Sequence, residues 1–469
     1  VGNDARWSGD WKAWLVVVLV ASTLLRLALG WLYLGFISGD DVEMLETGVA
    51  PVTDLDYTPW GIRNLLLPRL LVTPVAWIAS RVGWGDAALL VRLAVLPFVA
   101  LATLNVFLIH LVVRRAAGDC EGVVAAAVYG FHWLPLGFGA TVYPRTVSTT
   151  CILVAFYLLL GRGRDVLRGL AAGAFMALAF AARYSEAVYL LPLALAGPVL
   201  TTDERRALRR NAALGGGFLL GAAAFTGLTD LLTWGEPFRS LVEFTRYTLV
   251  EQDSASLEPR QPTLWYLSHA QVWLIPTLVP FLVPVARRQS RLQTASWLML
   301  VVPVVLLSLI HHKELRYLQG VVPFLAILAA AGIRRFWARG WRKTTVALLL
   351  VSGLFSLRAA VELHREKSLS AVRAALELRE DSSVDALVVI QAWAYGDRLL
   401  LGPGVTMVNF ETPPASGELA EALARADAAA FYEEDLQARP ELRQVLDRAG
   451  LEVWRRYELA DSRAVAVFR

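Results

Sequence analysis

The chain has 469 residues, 56% of them hydrophobic and only 18% charged, with a mean hydropathy of +0.49. That balance excludes an ordinary water-soluble globular protein and makes lipid the natural solvent for most of the sequence. The net charge of +4 does not point to nucleic acid, because the basic residues lie between hydrophobic runs and form no patch with interleaved aromatics. Cys120 and Cys151 are too few for a thiolate metal site and read as packing residues.

Runs long enough to cross a bilayer, about 17 to 25 residues each, fall near 13–36, 86–113, 120–138, 143–161, 165–182, 184–200, 210–229, 263–285, 293–310, 317–334 and 343–360. The expected architecture is therefore a polytopic α-helical membrane protein with about 11 transmembrane helices. The first run is too long for a signal-peptide core and is expected to be retained. A shorter stretch, Leu65 to Ala79, carries Pro68, Arg69 and Pro74 and is either a span or a helix lying in the interface.

Charge chooses between the two. Arginine and lysine near helix ends stay in the cytoplasm, and here they cluster at Arg114-Arg115, Arg162/Arg164/Arg168, Arg205-Arg206/Arg209-Arg210, Arg287-Arg288/Arg291 and Arg334-Arg335/Arg339/Arg342-Lys343. Each cluster is two spans from the next. If Leu65–Ala79 is interfacial, all five join Arg6 and Lys12 inside; if it crosses, they contradict the N-terminus. The interfacial reading puts loops 37–64, 230–262 and 311–316 outside, together with a soluble domain over 363–469 that follows a membrane module over 1–362. In that domain, apolar runs at 386–390, 405–410, 428–432 and 464–468 alternate with amphipathic ones at 369–378, 418–426 and 440–449, the pattern of a small α/β fold. No glycine-rich phosphate loop opens its helices.

The outer loops are acidic first and basic later. Loop 37–64 carries Asp40, Asp41, Glu43, Glu46, Asp54 and Asp56 against Arg63 alone. Adjacent carboxylates such as Asp40 and Asp41 raise each other's proton affinity and can serve as a base toward a hydroxyl; the plainer reading is an acidic helix N-terminus. On the same face follow Asp56-Tyr57-Thr58-Pro59-Trp60-Gly61-Ile62-Arg63-Asn64, then Tyr143-Pro144-Arg145, Arg183-Tyr184-Ser185-Glu186, Asp230, Trp234, Phe244, Tyr247 and Trp265-Tyr266. His311-His312-Lys313-Glu314-Leu315-Arg316-Tyr317 comes last.

The order and spacing of these segments resemble the polyprenyl-phosphate-dependent GT-C glycosyltransferases, most closely the mannosyltransferases of glycolipid-anchor and N-glycan assembly. Those enzymes carry His-Pro-Asp-Glu after the first span, a Gly-Ile-Arg-Ser segment, and His-Lys-Glu-x-Arg-Phe before a late span. The likeness covers roughly residues 26 to 335. Ser38-Gly39-Asp40-Asp41 keeps the carboxylate pair of the first motif and loses its flank, and Pro59 stands near where the family has Glu.

The resemblance implies an inverting transfer of a sugar, mannose first among candidates, from a polyprenyl phosphate to a glycolipid or lipid-linked glycan. The leaving phosphate needs cationic help rather than a strong acid, so His311, His312, Lys313, Arg316 and Arg183 are expected to hold it. Asp40 or Asp41 would deprotonate the acceptor. Trp60, Arg63, Tyr143, Arg145, Glu186, Asp230, Tyr247, Trp265 and Tyr266 are the acceptor or sugar candidates. No cofactor is expected, with a divalent metal left open.

Each candidate has a simpler alternative. The histidine-lysine loop can touch lipid headgroups, Arg183 can cap a helix C-terminus, Asp230 can be structural, and the aromatics suit an interfacial belt. Arg26, near the middle of the first span, costs about 2.5–3.5 kcal/mol on insertion scales if unpaired, so a partner is required. A same-fold enzyme with another lipid-linked sugar or a protein acceptor, or a transporter or flippase, are the competing functions. A transporter would place its polar groups at the midplane with internal repeats, whereas these gather at one face. Alanine, leucine and arginine usage suggests a bacterial source, with the outer face in the periplasm.

Overall fold

The computed structural model describes residues 10–469 apart from 35, 54, 56, 84–85, 162, 202, 251–260, 288–289, 382, 403, 411 and 459–462. Arg6, Asp54, Asp56, Arg162 and Arg288 therefore lie outside the described residues. Among those described, six helices are long and apolar enough to cross a membrane: Trp11–Tyr33, Ala87–Ala117, Asp165–Ala182, Glu204–Trp234, Arg291–Ser308 and Arg342–Glu380. A seventh crossing is available if Asp119–Gly130 and Trp133–Ala140, which meet at 68°, act as one broken span. Pro144–Leu159 and Tyr184–Leu200 are shorter apolar helices. The stretch expected at 263–285 is divided into short pieces, with Pro276 and Pro280 removing backbone donors, and ends in the helix Val279–Arg287.

The outward-facing side chains identify the solvent. Leu32 is 70% exposed, Leu220 71% and Leu232 77%; in water this many bare leucines on long helices would aggregate, and in hydrocarbon they cost nothing. The chain is an integral membrane protein.

Arg26 is fully buried, and its partners are carbonyl oxygens rather than the carboxylate that an ion pair would need. Nε donates to Pro135 O at 3.2 Å, Nη1 to Ser22 O at 3.0 Å and Nη2 to Gly130 O at 3.2 Å. Gly130 ends its helix at the break before Trp133, which leaves its carbonyl for the guanidinium to satisfy.

Leu65–Ala79 forms two short helices, Leu66–Leu71 and Thr73–Arg81. Together they offer about 24 Å of helix at about 1.5 Å per residue, short of the about 30 Å hydrocarbon core. Thr73 Oγ1 donates to Gly48 O at 2.6 Å, tying them to the helix Gly39–Val49, here called α2, while Leu70, Trp77 and Ile78 stay exposed. An amphipathic helix pair lying in the interface has this form.

The helix Arg342–Glu380 runs without interruption from an apolar first half to the C-terminal sheet, so residues 362 and 363, where the division was expected, both fall inside it. Its lipid-facing part shows Leu350 and Leu354; its later part buries Ala371, Ala374, Ala375 and Leu378 against the C-terminal sheet and its loops. That sheet has five strands, β1 (Ala386–Ile390), β2 (Thr406–Phe410), β3 (Ala428–Tyr432), β4 (Val453–Tyr457) and β5 (Val465–Phe468), in the order β2-β1-β3-β5-β4. β1 is parallel to β2 and β3, whereas β5 runs antiparallel to β3 and β4. Val388, Ile390, Phe431 and Phe468 pack under the helices Ser416–Leu423 and Pro440–Arg448 in a core of their own. Tyr395, Leu399, Leu400 and Leu401 belong instead to the large core of the membrane helices, so the domain is seated on them.

Candidate active site

A cavity of ≈ 1090 Å³ lies where α2, the loop 57–64, residues 181–185, the segment 310–317 and the C-terminal domain converge. α2 starts after Ser38, whose extended backbone turns the chain into the helix, with Asp40 and Asp41 in a first turn where the helix dipole favours anions. Residues three apart share a helix face, and neighbours are rotated by about 100°. Asp40, Glu43 and Glu46 accordingly form one stripe on the cavity wall, and Asp41 is turned away from it.

Position separates the two aspartates chemically. Asp41, 1% exposed, accepts hydrogen bonds from Ile37 N–H at 2.9 Å and Ser38 Oγ at 3.1 Å. Burial, offset in part by the Ile37 amide and reinforced by Asp40, pushes its carboxyl up to about 7. Asp40 sits among three guanidiniums: Arg63 Nη2 is 2.9 Å from Oδ1, Arg316 Nη1 is 3.5 Å from Oδ2, and Arg183 donates to Oδ2. Burial alone would raise the Asp40 carboxyl; the guanidiniums of Arg183, Arg316 and Arg63 outweigh it and hold the group far below the usual carboxylate range. Arg63 also donates from Nε to Glu43 Oε2 at 2.6 Å, while Glu43 Oε1 and Arg183 Nε are buried with no hydrogen-bond partner among the described residues.

Arg316 is shared. It bonds Glu314 as well as Asp40, and Glu314 accepts from His312 Nε2 at 2.9 Å. Lys313 is 2% exposed and donates to the carbonyls of Gln261 at 3.1 Å and Ile310 at 2.5 Å, which fixes its ammonium at the cavity edge. Trp60 meets Tyr247 edge to face at 5.0 Å, with the Arg63 guanidinium 5.4 Å from the Trp60 ring centre.

Of the residues singled out in the sequence, Asp40, Trp60, Arg63, Arg145, Arg183, Tyr247, Trp265, His312, Lys313 and Arg316 line the cavity. Asp41, Tyr143, Glu186, Asp230, Tyr266 and His311 do not. Asp230 clasps loops instead, accepting from Asn64 Nδ2 at 3.2 Å and from Ser240 N–H and Oγ at 2.9 and 2.5 Å. Glu186 is the buried partner of Arg145, whose guanidinium lies 4.5 Å from the Tyr317 ring centre. Tyr266 donates its hydroxyl to Glu314 O at 3.2 Å, bracing the backbone of the basic segment. Glu46, Gln391, Trp393, Asp397, Asn409 and Thr412 also line the cavity. Helical spacing from Asp40 was the signal for Glu46; nothing local marked the other five. No group of three or more histidine, cysteine, aspartate or glutamate side chains suited to a metal forms among the described residues.

The fold is similar to that of the Cupriavidus metallidurans enzyme ArnT in its undecaprenyl-phosphate-bound structure, with a TM-score of 0.66 at 13% identity over 98% of both chains. It is also similar to the apo oligosaccharyltransferase of Archaeoglobus fulgidus, with a TM-score of 0.54 at 12% identity over 91% of this chain and 70% of that one. These likenesses establish the GT-C fold. GPI mannosyltransferase 3 of Yarrowia lipolytica is 27% identical over 265 residues, 54% of this chain; the match spans about half of that relative, 48%. The sequence profile of the Alg9-like mannosyltransferases matches residues 56–394, from the loop before Tyr57 into the turn after β1. The chain belongs to the Alg9-like mannosyltransferase family.

Proposed function

We propose that the protein is an inverting glycosyltransferase that moves mannose from a polyprenyl-phosphate donor to a glycolipid or lipid-linked glycan. Its active face and C-terminal domain lie on the extracytoplasmic side, the periplasm in a bacterial inner membrane. The observation that carries this reading is the convergence of Arg183 and Arg316 on Oδ2 of Asp40, with the Arg183 Nε–H still unpaired at the wall of a cavity large enough for a sugar. A buried, unsatisfied guanidinium donor is costly unless an anion completes it. The undecaprenyl phosphate bound by the structurally similar ArnT supports a lipid phosphate as that anion.

The chemistry then follows from charge. The donor phosphate draws Arg183 and Arg316, with Lys313 and His312 beside them, and relieves Asp40 of the cations that depress its basicity. Asp40 takes the proton from the acceptor hydroxyl, whose oxygen forms the new bond to the anomeric carbon. The bond from that carbon to the phosphate oxygen breaks, and polyprenyl phosphate leaves with charge stabilised by the guanidiniums. Arg63 remains on Asp40 and Glu43 and keeps the carboxylate aimed. Asp41, turned into the protein, orders the start of α2.

Purified protein in lipid nanodiscs, given either a polyprenyl-phosphate mannose or a nucleotide-activated mannose with a lipid-linked glycan acceptor, tests the reading. Transfer from the lipid-linked donor alone, with release of polyprenyl phosphate and inversion at the anomeric carbon, is expected. Transfer from the nucleotide sugar alone would overturn it.

A further inference from the structure

We infer that the C-terminal α/β domain forms a binding subsite for the polyhydroxylated headgroup of the acceptor, at the carboxyl ends of β1 and β2. The inference deepens the proposed reaction by assigning the side of the cavity that the membrane helices do not build.

Open α/β sheets bind ligands in the crevice beyond the carboxyl ends of parallel strands, where the chain switches direction across the sheet. Here β1 lies between β2 and β3, so the chain leaves β1 to one side and returns on the other. Gln391 and Trp393 follow directly on β1; Asn409 is in β2 and Thr412 just beyond it. All four, with Asp397, line the cavity. The switch point of the sheet thus opens into the same space as Asp40 and Arg316.

The backbone there is held in uncommon geometry. Gln391 and Asp397 have φ of 58° and 45°, in the left-handed region that non-glycine residues seldom occupy. Such strain persists where surrounding structure enforces it, and its place on a cavity wall points to function. The enforcement is visible. Gln391 N–H donates to Phe410 O at 2.8 Å, and Asn409 Oδ1 accepts from Ala392 N–H at 2.9 Å. Leu399 N–H donates to the buried Glu46 of α2 at 3.1 Å, so the loop is clamped to the membrane half as well.

The chemistry of this wall suits a sugar rather than a second phosphate. Gln391, Asn409, Thr412 and Asp397 offer carboxamides, a hydroxyl and a carboxylate, and none of these four is a cation. Sugar hydroxyls both donate and accept, and an indole such as Trp393 can cover the apolar face of a pyranose; a phosphate would meet Asp397 unfavourably.

Saturation-transfer NMR of full-length protein in nanodiscs with α-mannotriose as the probe tests the subsite without turnover. The parent is expected to bind saturably, and Asp397→Asn and Thr412→Val each to weaken binding about tenfold, the loss of one good hydrogen bond to a charged or buried group. Both substitutions are close to isosteric, and unchanged thermal unfolding midpoints separate loss of contact from loss of fold. No saturable binding by the parent, or parent-like binding by both variants, would overturn the inference. In the transfer assay the same variants should raise the acceptor KM and leave the donor KM unchanged. Transfer with equal rises in both would also overturn it. Trisaccharide binding that falls in both variants, in a protein that transfers nothing from polyprenyl-phosphate mannose, supports the subsite and refutes the proposed reaction.

Discussion

The two walls of the cavity were written in the sequence in different ways. The membrane-side wall comes from short segments that each bring several residues to it: Asp40, Glu43 and Glu46 on one helix, Ile62-Arg63-Asn64 on one turn, His312 to Arg316 in one segment. The C-terminal wall is assembled from Gln391, Trp393, Asp397, Asn409 and Thr412, which no motif joins and only the pairing of β1 with β2 brings together. Local chemistry is legible when one element carries it. Chemistry that depends on strand register waits for the fold.

Substitutions can break or sharpen that contrast. Among the residues paired with Asp40, the largest effect is expected from Arg316→Ala, which removes a cation from both Asp40 and Glu314; turnover should fall about 10²- to 10³-fold in a steady-state transfer assay, the scale of losing one preorganised charge-stabilising donor. Arg183→Lys should cost less, because it keeps the charge and loses the planar donor fork; reduced affinity for polyprenyl phosphate, read by competition, is the expected sign. On the other wall, Asn409→Ala removes the acceptor for the Ala392 amide. It should loosen the loop that carries Trp393 and raise the acceptor KM severalfold with kcat nearly unchanged, the net value of one hydrogen bond being about 1 kcal/mol.

Asp41 gives the smallest and most diagnostic effect. Its carboxyl is raised from 3.8 to about 7, so the folded protein binds a proton that the unfolded chain releases. The associated stabilisation is complete below pH about 3.8 and is lost as pH rises through about 7. Asp41→Asn should flatten that portion of the stability profile, followed by thermal unfolding between pH 4 and 8, while transfer activity persists.

Hydropathy located apolar segments, six of which are, among the described residues, single helices long enough to cross a membrane, and Leu65–Ala79, read from charge as interfacial, forms two short helices with exposed Leu70 and Trp77. Hydropathy could not show that Arg26 would be satisfied by the carbonyls of Gly130 and Pro135, because that pairing joins segments over 100 residues apart. The strands β1, β2, β3 and β5 were visible as apolar runs. β4 was not: Val453, Trp454, Arg455 and Arg456 are all exposed on an edge strand, so no alternation betrays it. At the site, the adjacency of Asp40 and Asp41 suggested a shared role that helical geometry divides. One residue along an α-helix is about 100°, enough to place the first carboxylate among arginines and the second in the protein interior.

The central claim, that Asp40 is the base and the arginines around it hold the donor phosphate, is tested most directly by the kinetics of Asp40→Asn with a polyprenyl-phosphate mannose. The amide keeps the size and hydrogen-bonding reach of the carboxylate and cannot take the proton. A fall in kcat of about 10²- to 10⁴-fold, with a donor KM no higher than the parent's because Arg183 and Arg316 are released from Asp40, is the predicted result. Turnover retained within a few-fold of the parent would contradict it and move the base elsewhere on the wall.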